Sequence, residues 1–276
     1  MSAEQLLIWI PLVPLLAAFG VVAARGNPNL REGVSIGAGV ILFMLVAGLA
    51  ASIDWQAPPT LVISTPVAGL SLALTPEPLG MLFALVASLL WPITTVYAVG
   101  YMRAHHEQNQ TRFYTAFAVS IAAAMCIALA GNMFTLFVFY EVLSVSTYPL
   151  VTHAGTDKAK RAGRVYLGLL MGTSIGFMLL AMIWTWSLTG TLDFTPGGEF
   201  SDEVGSCVLG ILLLLYVFGT GKAALMPFHR WLPAAMVAPT PVSALLQAVA
   251  VVKAGVFSVL MVCVYIFGLE RIEQML

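Results

Sequence analysis

Val208-Leu209-Gly210-Ile211-Leu212-Leu213-Leu214-Leu215-Tyr216-Val217-Phe218-Gly219-Thr220-Gly221-Lys222 runs from an unbroken apolar stretch straight into a lysine, and Pro227 follows. Residues 204–222 have the length and composition of a helix crossing a hydrocarbon core about 30 Å thick. Pro227 has no N–H to give the Ala223 carbonyl, so the span is predicted to break or kink there and to continue as a short second piece over 226–237. Pro233, Pro239 and Pro241 come in quick succession. Irregular backbone at membrane depth is tolerated only where protein buries it or water lines it. Broken helices of this kind mark ion and substrate sites in transporters. A kink used only for packing is the alternative, and the lysine beside the break tells against it.

Working outward, apolar runs of similar length occur at about 5–24, 33–53, 79–101, 113–130, 132–151, 163–189 and 241–268, making about eight spans in all. The chain has 276 residues, 60% hydrophobic and 9% charged, where soluble domains carry about 25% charged residues. The expected fold is therefore an all-α membrane protein of about eight transmembrane helices with a broken seventh. Only Gly131-Asn132 separates the fourth span from the fifth, a tight hairpin. Residues 54–78 differ: Leu61–Thr65 and Gly69–Leu74 are short, partly alternating and bounded by glycine and proline, the pattern of a small extramembrane β-hairpin. The first span has no basic residue ahead of it and reads as a retained helix rather than a cleaved signal. Cys126, Cys207 and Cys263 lie far apart in apolar runs and read as small buried hydrophobes. A net charge of −1 offers no basic field for nucleic acid.

With eight spans, alternate loops share a side. One side gathers Arg25, Arg31, Arg103, Arg112, Lys158, Lys160, Arg161, Arg164 and Arg230; the other, both termini included, has only Arg271. Acidic residues lean the opposite way, at Glu4, Asp54, Glu77, Asp193, Glu199, Asp202, Glu203, Glu270 and Glu273. The positive-inside rule puts the basic side in the cytoplasm and both termini away from it, in an energy-transducing or plasma membrane.

Three charges fall inside spans. Glu141 lies about nine residues into the fifth, Lys222 about 18 into the seventh and Lys253 about 12 into the eighth. Each costs about 2.5–3.5 kcal/mol at mid-membrane on insertion scales. One reading is a structural ion pair that fixes helix packing. The other is a proton relay, since burial and a neighbouring opposite charge pull a lysine pKa in opposite directions. Two lysines with one carboxylate leave a cation short of a partner, which favours the relay. Ser144 and Tyr148 share the Glu141 face at i+3 and i+7, a polar stripe suited to water or to a partner. His229, just past the break, either passes protons or caps the helix end. His153 reads as interfacial, and His105 and His106 as solvated. Trp9, Trp55, Trp184 and Trp231 fit an interfacial belt.

Gly221–Met236, Pro239–Leu246 and Val252–Val256, together with Phe139-Tyr140-Glu141-Val142-Leu143-Ser144, resemble the antiporter-like, proton-conducting membrane subunits of respiratory complex I and the Mrp-type cation/proton antiporters. The resemblance implies that Glu141 pairs with Lys222 and that Lys253 passes the proton sideways. It also implies a division into residues 1–112, the first three helices with the hairpin, and 113–276, a five-helix antiporter-like repeat. Family members commonly have a histidine six residues before the eighth-span lysine; this chain has Gln247, which binds water but carries no proton. Full members contain a second, inverted repeat that is absent here, so another membrane subunit is expected to supply it beside Lys253. The leading expectation is a subunit of a multisubunit ion-translocating complex moving protons, with sodium a second candidate ion. The alternative is a non-conducting subunit whose buried charges only hold helices and partners together. No zinc, nucleophile-elbow, phosphate-loop or dinucleotide motif occurs, so no catalytic, metal or cofactor-binding residues are expected in this chain.

Overall fold

The computed structural model describes residues 2–67, 69–201 and 204–275; the side chains of residues 67, 245–248 and 275, Gln247 among them, lie outside the description. In chain order the elements are α1 (Ala3–Ala23), α2 (Pro28–Ser52), β1 (Leu61–Val67), β2 (Leu70–Leu74), α3 (Pro78–Ala104), α4 (Gln110–Ala128), α5 (Met133–Val151) and α6 (Asp157–Thr189). They continue with α7 (Ser206–Gly219), the five-residue α8 (Trp231–Ala235), α9 (Val242–Phe267) and α10 (Leu269–Met275). Among the described residues seven helices, α1–α6 and α9, are long and apolar enough to cross a membrane, and α7 is a shorter apolar helix. α6 widens into π-helix over Ser174–Met178, and α9 over Val242–Val251 and Val262–Phe267.

Local chemistry sets the helix starts. The Asn27 side chain accepts from the N–H groups of Asn29 and Leu30 with Pro28 at the first helical position, and the Thr156 hydroxyl accepts from Ala159 N at 3.2 Å. That cap starts α6 six residues before the predicted boundary at 163, so its basic first turns are helical. α4 is the axis of the bundle: 78% of its most apolar stretch is buried, against 28% for α2. Its run Ala122-Ala123-Ala124 lets neighbouring helices approach closely, the packing that replaces hydrophobic drive in a bilayer. Phe19, Leu82, Ile93 and Ile183 point outward, the apolar coat that lipid requires.

The predicted hairpin is present, with Leu61 opposite Leu74 and Val62 opposite Ala73. It is bonded to the α4–α5 turn. Gly131 N donates to Ala73 O at 2.9 Å, Asn132 Nδ2 to Ser71 O at 2.9 Å, and Ala73 N to Thr135 Oγ1 at 2.9 Å. The hairpin, this turn, the segment after α6 and the end of α9 gather at one end of the bundle. At the opposite end Glu32 is buried between Arg31, at 3.6 Å, and Arg103, which holds both of its carboxylate oxygens.

Two sequence readings need correction here. Cys207 is exposed and Cys263 half-buried, so only Cys126 is a buried hydrophobe; all three are free thiols. The seventh helix also stops earlier than Pro227 requires. It ends at Gly219, Thr220 leaves helical geometry at φ −81°, ψ 49°, and Gly221–Ala223 form a single 3₁₀ turn. Long-range contacts at Lys222, described next, fix the break ahead of the proline.

Candidate functional site

The break exposes backbone groups that a continuous helix would pair internally, and side chains from other helices take them up. Tyr140 of α5 meets Lys222 at three points. Its hydroxyl accepts from Lys222 N at 3.0 Å, its carbonyl accepts from Lys222 Nζ at 2.7 Å, and Nζ stands 3.2 Å from its ring centroid. Ser144 Oγ accepts from the same ammonium at 2.6 Å. Lys222 is wholly buried. A face of an aromatic ring and two oxygens are thus its surroundings, and the ring quadrupole favours the cation.

Glu141 sits beside these residues on α5, within electrostatic reach of the ammonium. Both of its carboxylate oxygens are buried without a hydrogen-bond partner among the described residues. The ion pairs among those residues are Arg31–Glu32, Arg103–Glu32 and His153–Glu107; Glu141–Lys222 is not one of them. The site therefore sets the Lys222 amine on neutral acceptors, with a carboxyl group that has no hydrogen bond among the described residues alongside.

Of the sequence-predicted residues, the fold gathers Lys222, Ser144 and Glu141. It does not bring Lys253 to them. Gly255 of α9 lies so close to the Lys222–Ala223 backbone that a methyl group there would overlap it. Lys253, two residues earlier and hence about 200° around the helix, is exposed in a shallow groove of about 280 Å³ with Leu82, Phe83, Val86 and Phe257. It makes no side-chain hydrogen bond or ion pair among the described residues. Tyr148 is half-buried against Gly163 of α6, and His229 is exposed in the turn Phe228–Arg230. Gln247 lies outside the described side chains.

Two residues acquire roles that the sequence reading missed. Tyr140 is one. The other is Trp231, predicted for the interfacial belt but wholly buried, with its indole Nε1 donating to Gly221 O at 2.8 Å and its ring edge-on to Tyr166. The carbonyl freed by the break needs a donor, and a buried indole needs an acceptor. His153, just past the end of α5, is buried 3.7 Å from Glu107; burial lowers its pKa, against the opposing pull of Glu107. At the other end, Glu77 accepts from Tyr265 at 3.0 Å, and burial raises its carboxyl pKa.

A multi-spanning α-helical bundle with a buried lysine on an interrupted span is the class that fold and site define. Residues 130–276 match the family model described as NADH:quinone oxidoreductase/Mrp antiporter, TM, and the chain belongs to that family. A putative antiporter subunit mnhA2 of Staphylococcus saprophyticus is 35% identical over 182 residues, covering 65% of this chain and 23% of that protein. A probable K(+)/H(+) antiporter subunit of Rhizobium meliloti is 31% identical over 270 residues, covering 92% of this chain and 26% of that protein. The Mrp complex from Dietzia sp. DQ12-45-1b contains a chain of the same fold, with a TM-score of 0.74 and 25% identity over 96% of this chain and 29% of that one. The chain thus spans about a quarter of the length of these curated relatives.

Proposed function

We propose that this chain is a membrane subunit of an ion-translocating complex, conducting protons through Glu141, Lys222 and Lys253, with its basic end and loops in the cytoplasm. The observation that carries the reading is a fully buried lysine on a broken span, beside a buried carboxyl group with no hydrogen bond among the described residues. In the arrangement described, Lys222 rests on Tyr140 O and Ser144 Oγ. Moving the ammonium to Glu141 stabilises the charged form of both groups, and moving it back favours release of the proton. Onward transfer runs by water to Lys253, whose exposed face is completed by further membrane-embedded protein carrying the next polar group. The same cradle serves sodium-coupled exchange if a cation replaces the proton at Glu141.

Proton flux into vesicles holding the assembled complex tests this. Lys222→Met and Glu141→Gln are each expected to lower flux by about 10²-fold, the usual worth of a positioned proton-transfer group. Unchanged flux in both variants overturns the relay. A structural role is favoured by one observation, the hydrogen bonds that already satisfy Lys222 without Glu141. In that case the double variant Lys222→Met, Glu141→Leu keeps its flux and alters only assembly.

A further inference from the structure

We infer that the cavity between the first turns of α6 and the short helix α8 binds the phosphate of an anionic phospholipid headgroup. Lys158, Arg161 and Arg230 line this cavity of about 620 Å³, together with the apolar side chains Val165, Pro233 and Met236. No side-chain hydrogen bond or ion pair engages any of the three cations among the described residues. Three other cations at this end are engaged, whereas Arg25, Lys160 and Arg164 make no such bond among the described residues. Arg31 and Arg103 hold Glu32, and Arg112 donates to His153 O at 3.0 Å.

The arrangement gathers like charge on one exposed face of the chain. Lys158, Lys160, Arg161 and Arg164 all fall in the first eight residues of α6, with Asp157 the sole acid there. The unpaired N–H groups of a helix start carry partial positive charge and disfavour cations. Like charges around one cavity add to the cost. A single anion seated among them reverses both effects. Two guanidinium forks suit phosphate oxygens, and basic pockets between transmembrane helices recognise anionic headgroups. Free phosphate offers the same oxygens, but the apolar wall gives an acyl chain a path that free phosphate leaves empty. α8 opens with Trp231, hydrogen-bonded to Gly221 beside Lys222. A lipid bridging α6 and α8 therefore also steadies the break; this effect on transport rests on the relay reading, whereas the binding does not.

Native mass spectrometry of the purified full chain, incubated with phosphatidylglycerol or phosphatidylcholine, tests the site. Preferential retention of phosphatidylglycerol is expected. Lys158→Gln, Arg161→Gln, Arg230→Gln together should lower its affinity by roughly 100-fold, summing three cations near an anionic surface. Lys160→Gln, Arg164→Gln, on the same helix but not lining the cavity, should keep most of it. Equal retention of both lipids, equal losses in the two variants, or full displacement by millimolar inorganic phosphate overturns the assignment. So does loss of the lipid in the assembled complex, which gives the cavity to an acidic segment of a neighbouring subunit.

Discussion

An ammonium shut away from water must find acceptors for its three N–H groups or give up its proton. Lys222 finds two oxygens and a ring face, and Tyr140 supplies one of each while also taking the Lys222 backbone N–H. Tyr140→Phe is therefore a selective cut. The ring and the carbonyl stay under the ammonium, but a buried N–H loses its acceptor, at a cost of about 1–3 kcal/mol. Thermal unfolding in detergent should register that loss, and an unchanged midpoint would contradict the hydroxyl's role. Lys222, Glu141 and Ser144 were legible in the sequence because charge at membrane depth is expensive and periodicity puts a polar neighbour beside it. Tyr140 and Trp231 were not. An aromatic residue in an apolar run looks like any lipid-facing one, and its carbonyl or indole bond depends on partners 82 and 10 residues away.

The break in the seventh span shows the same division at the level of elements. Its existence could be read from Pro227, but not its position. The chain leaves the helix at Thr220, takes a 3₁₀ turn and passes through Ala224 at φ +56°, a left-handed geometry that costs a non-glycine residue about 1–2 kcal/mol. Contacts from distant helices hold it there, chiefly the Tyr140 hydroxyl and the close approach of Gly255. Gly255→Ala forces a methyl into the Lys222–Ala223 backbone and should destabilise the protein by about 1–3 kcal/mol, the usual range for overpacking. Because the displaced backbone carries Lys222, flux should fall with stability. A variant that melts normally and conducts normally would show that α9 does not brace the break. Helix count and hairpin were readable from length and alternation. The π-helical widening of α6 and α9 was not, since it changes no hydrophobic pattern.

At the scale of the whole molecule, several enclosed polar groups that the bundle satisfies contrast with Lys253 on its surface. Glu32, Asn132 and Lys222 are enclosed and bonded, whereas Lys253 sits in an apolar groove on the surface. Lys253→Leu should leave the isolated chain as stable as before, or more so, by removing a cation worth about 2.5–3.5 kcal/mol against lipid. In the assembled complex the same change should lower proton flux and weaken co-purification of the neighbouring membrane subunits. Intact association and flux would give Lys253 no part in either. α7 carries a different consequence. Its 14 residues span about 21 Å, short of the roughly 30 Å hydrocarbon thickness, and the chain leaves it through a 3₁₀ turn at Gly221–Ala223. Such a segment partitions poorly into bare lipid. During synthesis it is expected to wait at the insertion machinery until α6 and α9 flank it, so this part of the bundle enters the bilayer as a group of three.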